Sequence, residues 1–324
     1  MTINPDDLCR RIMADPEACA TEDEALRLLE LPAEQTLPLI ACAQRIRTAH
    51  AGPAFTCAIV NARSGRCPEN CSFCAQSAHY ATGAPEHPML NTAALVEHAL
   101  KLADAGADRF GIVTSGTRPA PRELETVCEA VVRIRARTHL SPCASLGQLS
   151  PQAAAMLRQA GLERYHHNLE TARSFFASVC TTHDYDEDIY TVKLAREAGL
   201  AVCCGGILGL GESRAQRAEL SGQIKRCRAD SVPVNLLTPV AGTPLERMDP
   251  LPPFEALRTI AVFRFMHPRA DILVAGGREH VLGEYRSWTF ISGANGLMVG
   301  NYLTTAGRST ADDYTMLRHM GVLR

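Results

Sequence analysis

The sequence is poor in aromatic residues and has no excess of charge of either sign. Aromatic side chains make up 5% of the 324 residues, with a single tryptophan, and the formal net charge is −2. This balance provides no basic face for a polyanion, so we expect neither nucleic acid nor a charged membrane surface as a partner. With 46% hydrophobic residues, the chain can still bury a large core.

Long apolar runs, low-complexity tracts and Gly/Ser linkers are also missing. The lack of an apolar run of bilayer length argues against a membrane span. The acidic N-terminus lacks the apolar segment of a signal peptide, which predicts a cytoplasmic protein. Because no linker separates independent folding units, we expect a single barrel domain at 51–324. The first 50 residues precede the first predicted strand and have a helical pattern, so we expect an N-terminal helical cap at 1–50.

A helix followed by a strand recurs along the chain. Helical stretches end in Ala-Gly, and a β-rich run follows within two or three residues. Glycine just past a helix can adopt the left-handed conformation that ends it. The pattern predicts an α/β protein with a (β/α)8 TIM-type barrel, with an open six-strand version as the alternative. The eight predicted strands are 56–61, 109–114, 140–146, 164–169, 201–208, 231–237, 272–275 and 296–299.

Cysteine is abundant. Thirteen cysteines in a long chain without a secretion signal indicate metal ligands or reactive thiols. Cys67, Cys71 and Cys74 form a C-x3-C-x2-C motif directly after the first predicted strand. Three thiolates at this spacing can each bind one iron of a [4Fe–4S] cubane and leave the fourth iron open to a chelating ligand. A structural zinc site closed by His79 or Cys57 is the alternative.

The cysteine motif resembles the C-x3-C-x-φ-C hallmark of radical S-adenosylmethionine enzymes, with Phe73 as the aromatic φ. The resemblance implies that the open iron binds the amino and carboxylate groups of S-adenosylmethionine. It also implies that Phe73 packs against the adenine, although a loop aromatic that covers the core would look the same. A glycine-rich run at 205–212 matches a superfamily segment that lines the adenosine site, which makes Gly205 and Ile207 cofactor-binding candidates.

Further segments resemble the biotin synthase family, in the family order. The resemblance implies a homodimeric sulfurtransferase that inserts sulfur into dethiobiotin to form biotin, together with a reductant protein such as flavodoxin or ferredoxin. Another radical enzyme of this group, of the methylornithine synthase or hydrogenase-maturation type, and a non-catalytic metal-binding module are the alternatives. The matching segments are 61–65, 165–171, 231–235, 242–245 and 275–279.

Polar residues in these segments are candidates for contacts with cofactor and substrate. The resemblance implies that Asn168 and Glu170 bind the cofactor and that Asn168 and Asn235 bind dethiobiotin, whose ureido group offers a donor and an acceptor to an amide. The asparagines could instead satisfy backbone groups at strand ends. His166 and His167 alternate faces, so at most one points into the barrel, and we expect a structural role for both.

The family also takes its sulfur from an auxiliary iron–sulfur cluster deep in the barrel, usually held by three cysteines and an arginine. Cys143 and Cys203 match two of the cysteines, and Arg278 matches the arginine. At the position of the third cysteine, this chain has Gly111. The auxiliary site is therefore incomplete by the family pattern.

Two other cysteines offer a replacement. Cys57 and Cys180 stand where relatives have serine and an aliphatic residue. We hypothesise that both join Cys143 and Cys203 around an auxiliary cluster that is either [2Fe–2S] or a larger, cubane-type cluster, because four thiolates suit a cubane. Cysteine is also a good small hydrophobe, so packing is the alternative for all four.

A second departure from the family pattern is Asp188. Relatives place an arginine there, which would pair with the cofactor carboxylate, and an aspartate cannot do so. Either another cation takes over, with Arg173 and Lys193 nearby in sequence, or the cofactor is bound differently.

Overall fold

Nine parallel strand segments form one sheet in the computed structural model, which describes residues 3–305 and 307–322. The sheet closes on itself because β5 pairs with β4 on one side and with β7 on the other, and β6 continues the position of β5. The segments are β1 Phe55–Arg63, β2 Arg109–Thr114, β3 Ser141–Ser145, β4 Arg164–His166, β5 Ala201–Cys203, β6 Gly206–Leu208, β7 Ser231–Leu236, β8 Asp271–Val274 and β9 Gly296–Met298.

The closed barrel confirms the predicted fold and excludes the open six-strand version. The predicted strand 201–208 occurs as two segments, β5 and β6, at a single position, so the barrel has eight strand positions. The interruption falls at a very close backbone approach: a Cβ on Gly205 would lie 1.9 Å from the Pro233 carbonyl oxygen, and one on Gly206 would lie 2.4 Å from that of Glu170. Only glycine fits at such contacts.

Helices cover the outside of the barrel, and three of them precede β1. Within this N-terminal segment α1 packs on α3, while α3 and α2 pack on α10 and α9 of the barrel. In the described part of the chain, no helix is both long and apolar enough to cross a bilayer. The helices are α1 Pro5–Ala14, α2 Glu22–Leu29, α3 Thr36–His50, α4 Thr92–Asp104, α5 Pro121–Arg137, α6 Pro151–Gln159, α7 Arg173–Phe176, α8 Tyr185–Glu197, α9 Arg214–Arg226, α10 Pro253–Met266, α11 Arg278–Leu282, α12 Trp288–Ile291 and α13 Thr310–His319.

Side chains alternate between the outer layer and the barrel interior. Phe110 and Ile112 of β2 are fully buried in the large core that includes the helices. Arg109 and Gly111 of the same strand therefore face the interior. A separate small apolar cluster, which includes Cys57, lies inside the barrel.

A buried arginine ties the end of α10 to the last strands. Arg264 is fully buried, and its guanidinium donates to the carbonyl oxygens of Gly293 (2.7 Å) and Ala270 (2.7 Å) and to Asn295 Oδ1 (3.1 Å). It also donates to the carbonyl oxygen of His267 at 2.9 Å. These bonds satisfy backbone groups at the entry to β8 and β9, where the barrel closes.

We predict that Arg264→Met lowers the free energy of unfolding by roughly 3 kcal/mol or more, because several buried acceptors lose their donor. Urea denaturation of the iron-free protein measures the change. Arg269→Met is the matched control, since Arg269 is exposed and pairs only with the exposed Glu17. Equal effects of the two substitutions would contradict the role assigned to Arg264.

Candidate active site

The loop after β1 places three cysteines at the carboxyl end of the barrel. Cys67, Cys71 and Cys74 are partly exposed. The Cys67 amide donates to the Gln76 carbonyl oxygen at 3.0 Å, and the Cys74 amide donates to the Cys71 carbonyl oxygen at 2.9 Å. These backbone bonds fold the loop back on itself at the rim. The three thiols are thus carried on one compact loop.

Neither residue considered for closing a zinc tetrahedron is placed to do so. The Nε2 atom of His79 hydrogen-bonds to the Pro68 carbonyl oxygen at 2.9 Å. Cys57 lies inside the barrel, where it packs with residues such as Phe55 and Leu273. The geometry therefore gives no support to the zinc alternative.

Cys180 lies beside the loop of the three cysteines, which corrects its predicted place in the auxiliary site. Its Sγ is 3.4 Å from Asn70 Oδ1 and 3.4 Å from His183 Nδ1. The loop that contains Cys180 is held there because Thr181 N donates to Asn70 Oδ1 at 2.9 Å and Asn70 Nδ2 donates to Thr181 Oγ1 at 2.7 Å. Cys71 has the largest influence on the pKa of the Cys180 thiol. It is a neighbour of the first cluster site.

The contact between the two thiols affects how they titrate. In the iron-free chain, the interaction between them raises the pKa of Cys71 and lowers that of Cys180 to about 3. Hydrogen bonds to ligand sulfurs are one of the means by which a protein tunes a cluster.

Asp188 is the centre of a buried histidine network. His167 Nε2 donates to Asp188 Oδ1 at 2.8 Å, and His183 Nε2 lies 3.4 Å from Asp188 Oδ2. Burial alone would raise the pKa of Asp188, but hydrogen bonds from His167 and His183 outweigh it and lower the pKa. Hydrogen bonds to Asp188 and Cys180 raise the pKa of His183 to about 11, and Glu69 Oε2 lies 2.8 Å from its Nδ1. Asp188 therefore has its own partners.

The two cations considered as substitutes for an arginine at this position are otherwise engaged. Arg173 forms an ion pair with Asp186, at 2.5 Å, on the surface. Lys193 lies 3.7 Å from Glu197, and both side chains are exposed. Neither points to the network around Asp188.

Phe73 and Ile207, the two apolar cofactor candidates, lie in one cluster. Both are partly buried and pack against a group of buried side chains formed by Val179, Leu210 and Leu237. The cluster lies next to the cysteine loop, because the Ser72 amide donates to the Val179 carbonyl oxygen at 2.8 Å. It provides an apolar wall at the rim of the barrel, as an adenine ring requires.

Glu170 has the features of a strained functional residue. Its φ is +59°, a left-handed conformation that is uncommon outside glycine. Burial raises the pKa of its carboxyl to about 8. Asn168 Nδ2 donates to Glu170 Oε2 at 3.3 Å, while the buried Asn168 Oδ1 has no partner within residues 3–305 and 307–322. These two side chains, together with the Gly205 and Gly206 backbone nearby, present polar atoms for a ligand.

Asn235 lies on the next strand position at the same end of the barrel. Its Nδ2 donates to the Gly206 carbonyl oxygen at 3.3 Å, and its Oδ1 accepts from the Gly276 amide at 3.1 Å. Both bonds are to backbone atoms, as expected if Asn235 satisfies backbone groups at a strand end. The Gly206 carbonyl oxygen and Asn235 Oδ1 each have a second lone pair that is available to a ligand.

His166 is an interior residue that the sequence analysis assigned only a structural role. Tyr165 lies in the outer layer, where its hydroxyl donates to the Gly147 carbonyl oxygen at 2.6 Å, so His166 faces inward. Its Nδ1 is 3.1 Å from Ser145 Oγ. Burial lowers the pKa of His166 to about 4, which keeps the imidazole neutral. In the sequence, the alternation of His166 with Tyr165, which faces the outer layer, is the signal that His166 faces the interior.

Cys57, Cys143 and Cys203 are interior cysteines of β1, β3 and β5, because their chain neighbours Ala58, Ala144 and Val202 belong to the outer core. In the sheet register Cys143 pairs with Arg164, and Cys203 pairs with His166. Burial raises the pKa of Cys57 to about 12 and the pKa values of Cys143 and Cys203 as well. The charges of Arg109 and Arg164 act in the opposite direction on all three thiols. We call Cys57, Cys143 and Cys203 the deep cysteine trio.

Arg278 does not lie with the deep cysteine trio, contrary to the expectation from the sequence. Its guanidinium is fully buried and forms a two-pronged ion pair with Asp313 of α13, with N–O distances of 3.1 and 2.5 Å. Glu279 is a further partner at 2.9 Å. Arg278 follows the end of β8, so strand alternation does not direct it inward. Its role here is to fasten α13 to the barrel.

The sequence matches two family patterns and many proteins of known function. The radical SAM superfamily pattern matches residues 62–222, and that of the biotin and thiamin synthesis associated domain matches residues 233–323. A biotin synthase of Nitratidesulfovibrio vulgaris (strain DP4) is 57% identical over 93% of this chain and 84% of the relative. That of Geobacter sulfurreducens is 48% identical over 98% of this chain and 97% of the relative. The chain belongs to the biotin synthase family.

Solved structures agree with the barrel seen in this member of the biotin synthase family. Methylornithine synthase superposes with a TM-score of 0.83 at 19% identity, covering 97% of this chain and 96% of the other. A maturase of the [FeFe]-hydrogenase gives 0.83 at 17% identity, covering 98% and 75%. At these identities the likeness concerns the fold alone. Membership in the biotin synthase family makes the chain a radical SAM sulfurtransferase and implies a [4Fe–4S] cluster, S-adenosylmethionine and an auxiliary iron–sulfur cluster.

The placement of Cys57 and Cys180 at different sites predicts different iron losses. Cys57→Ser should lose the iron of the deep site, roughly a third to a half of the total. Cys180→Ser should retain that iron and alter only the spectrum of the first cluster. Iron and sulfide analysis of anaerobically reconstituted protein measures both, with Cys128→Ser on α5 as the control. Equal losses from Cys57→Ser and Cys180→Ser would contradict the separation of the two sites.

Glu170→Gln should stabilise the iron-free protein in a pH-dependent way. The folded pKa of about 8 lies above the ordinary value of 4.5, so the stability associated with protonated Glu170 is lost as the pH rises from 4.5 through 8. We expect the variant to gain about 1–2 kcal/mol over the parent at pH 9 and little at pH 5.

Urea denaturation at the two pH values measures this difference. The exposed control Glu125→Gln should change stability by less than about 0.5 kcal/mol at either pH. A gain from Glu170→Gln that is the same at pH 5 and pH 9 would show that the Glu170 carboxyl is not desolvated.

Proposed function

We propose that this chain is a biotin synthase that converts dethiobiotin to biotin, with S-adenosylmethionine as the radical source and an auxiliary cluster as the sulfur source. The observation that supports it most is the layered barrel interior. A three-cysteine loop lies at the rim, polar side chains such as Asn168 and Asn235 lie below it, and the deep cysteine trio lies further in. The chain thus has separate positions for radical generation, substrate and sulfur donor.

The first cluster is proposed to bind to Cys67, Cys71 and Cys74, the catalytic cysteines. Three thiol donors leave one iron without a protein ligand, and this is where S-adenosylmethionine is proposed to bind. When both are bound, they supply the carbon radical that abstracts hydrogen from dethiobiotin. The chain's own contribution is to hold the reacting groups at the strand ends and to exclude water from them.

S-Adenosylmethionine is proposed to bind between the apolar and polar walls of the rim. Phe73 and Ile207 pack the adenine, and the Gly205 backbone allows close approach. Asn168 and Glu170 provide the polar contacts, and the partnerless Asn168 Oδ1 fits a ligand that donates a hydrogen bond. In this scheme Asp188 does not pair with the cofactor carboxylate and acts through His167 and His183.

Dethiobiotin is proposed to lie below the cofactor, where Asn168 and Asn235 bind its ureido group. His166 is added to this set, because its neutral imidazole faces the same space and has a donor as well as an acceptor. The hydrogen-bonding groups of His166 suit an uncharged ureido ring better than a charged ligand.

The auxiliary cluster is proposed to bind to the deep cysteine trio, with Cys57 in place of the cysteine missing at Gly111. A Cβ on Gly111 would lie 3.0 Å from Ile59 Cγ2, so a larger side chain on β2 would crowd β1. The trio fits an iron–sulfur cluster by its donor set, because three buried interior thiols are the soft ligands that such clusters take. Either a [2Fe–2S] or a larger cluster suits three thiolates.

The remaining features of the proposal follow from the family. We propose an N-terminal cap at 1–50, a single barrel domain at 51–324, a homodimer, a cytoplasmic location and a flavodoxin- or ferredoxin-like electron donor. The segment before β1 supports the cap, since α1, α2 and α3 lie there.

The activity is tested with reconstituted protein under dithionite, with S-adenosylmethionine and with or without dethiobiotin. We expect biotin together with about two 5′-deoxyadenosine per biotin. Cys71→Ala should abolish cleavage of S-adenosylmethionine, whereas Cys143→Ser should permit cleavage and form no biotin. Cleavage that ignores dethiobiotin would favour another radical SAM enzyme, and no cleavage in the parent would favour a metal-binding module.

A further inference from the structure

Arg164, the first residue of β4, is an interior arginine without a partner. It lies beside Cys143 of β3 and Ala201 of β5 in the sheet register. Strand alternation places Arg164 on the same inward face as His166. Its Nε and Nη1 atoms are buried and have no hydrogen-bond partner in the described part of the chain, residues 3–305 and 307–322. Arg164 is not part of the binding sites proposed above.

Arg109, the neighbouring interior arginine, does have partners. Arg109 Nη2 pairs with Asp271 Oδ2 at 2.5 Å, and its guanidinium lies 3.5 Å from the centroid of the Phe55 ring. The other oxygen of Asp271 accepts from Asn295 Nδ2 at 2.7 Å. The interior acid is therefore already occupied by Arg109 and Asn295, and the charge of Arg164 is left without compensation from it.

Arg164 as a whole is partly buried, but its Nε and Nη1 atoms are shielded from water without gaining a partner in the described residues, which is costly for a cation. A group that removes this cost must be anionic and must lie beside Arg164 in the barrel interior. Arg164 is the register neighbour of Cys143, and His166, two residues further on the same face, is that of Cys203. An oxidised [2Fe–2S] or [4Fe–4S] core has two positive charges and three thiolates have three negative charges, so the cluster with its ligands has one net negative charge. A cluster on the trio would therefore carry the negative charge that Arg164 lacks.

We propose that Arg164 is the cationic partner of the auxiliary cluster, balancing its negative charge and donating hydrogen bonds to its sulfur atoms. The inference rests on the proposed function, in which the trio holds that cluster. Arg164 is assigned as a positioning residue, which acts on the cluster through its charge and its hydrogen bonds. It takes the place that the sequence analysis gave to Arg278.

The test uses a Cys67→Ala/Cys71→Ala/Cys74→Ala background, so that iron and sulfide report on the deep site alone. Arg164→Met and Arg164→Lys are compared in this background after anaerobic reconstitution. We expect Arg164→Met to lose iron to a chelator several-fold faster and to shift the cluster midpoint potential to a more negative value, because a positive charge favours the reduced cluster. Arg164→Lys should restore much of both properties.

The iron-free proteins provide a readout with the opposite sign. Removing an unpartnered buried charge should leave iron-free Arg164→Met at least as stable to urea as its parent. An arginine that merely holds the barrel together would instead destabilise the iron-free protein when replaced. Lower stability of the iron-free variant with unchanged iron retention therefore overturns the proposal.

The deep cluster site and the role of Arg164 are disproved by different results. If the background protein binds no iron or sulfide, the deep site does not hold a cluster, and the proposed function and the role of Arg164 both fall. If it binds a cluster and Arg164→Met matches it in iron retention and potential, only the role of Arg164 falls.

Discussion

The closed parallel barrel imposes one constraint on which the rest depends: every second residue of a strand must point into a narrow common interior. On β1 this sends Cys57 inward while Ala58 joins the outer core. The same alternation turns Cys143 inward on β3 and Cys203 inward on β5. Because all strands run in the same direction, the loops after them meet at one rim, and that rim carries Cys67, Cys71 and Cys74. Two cysteine sites at different depths follow from this geometry.

Charge inside the barrel is arranged in pairs, with one exception. Arg109 is neutralised by Asp271, and Arg278 is neutralised by Asp313 outside the cysteine layer. Arg164 has no such acid within the described chain. Arg264, which also lacks an acid, is satisfied by backbone carbonyl oxygens and Asn295, whereas two nitrogens of Arg164 are buried with no acceptor among the described residues. Buried polar groups are normally satisfied, so this exception marks the deep site in addition to the cysteines, which can also be buried for packing.

The sequence predicted the features that depend on periodicity and spacing, and it was wrong where neither applies. The eight strand positions follow from the helix–strand repeat, the rim cysteines from a local motif, and the choice of Cys143 and Cys203 from the family resemblance. Cys180 lies in a loop pinned by Asn70, which is far away in sequence, so no pattern could place it. Arg278 follows a strand and obeys no alternation. Arg164 lies on the same face as His166 by alternation with Tyr165, but a charged residue at the start of a strand is ordinarily expected at the surface.

The order of the layers limits where the substrate can react. The radical source lies at the rim and the proposed sulfur source lies below the polar layer, so both can reach a molecule only if it lies between them. Two interior amide oxygens in the described residues, those of Asn61 and Asn168, have no protein partner. Glu170 is strained and desolvated close to one of them. Unsatisfied polar groups are costly, and here they gather where a ureido ring and a nucleoside would supply the missing hydrogen bonds. The unsatisfied polar atoms of the interior are therefore those that the two proposed ligands would satisfy.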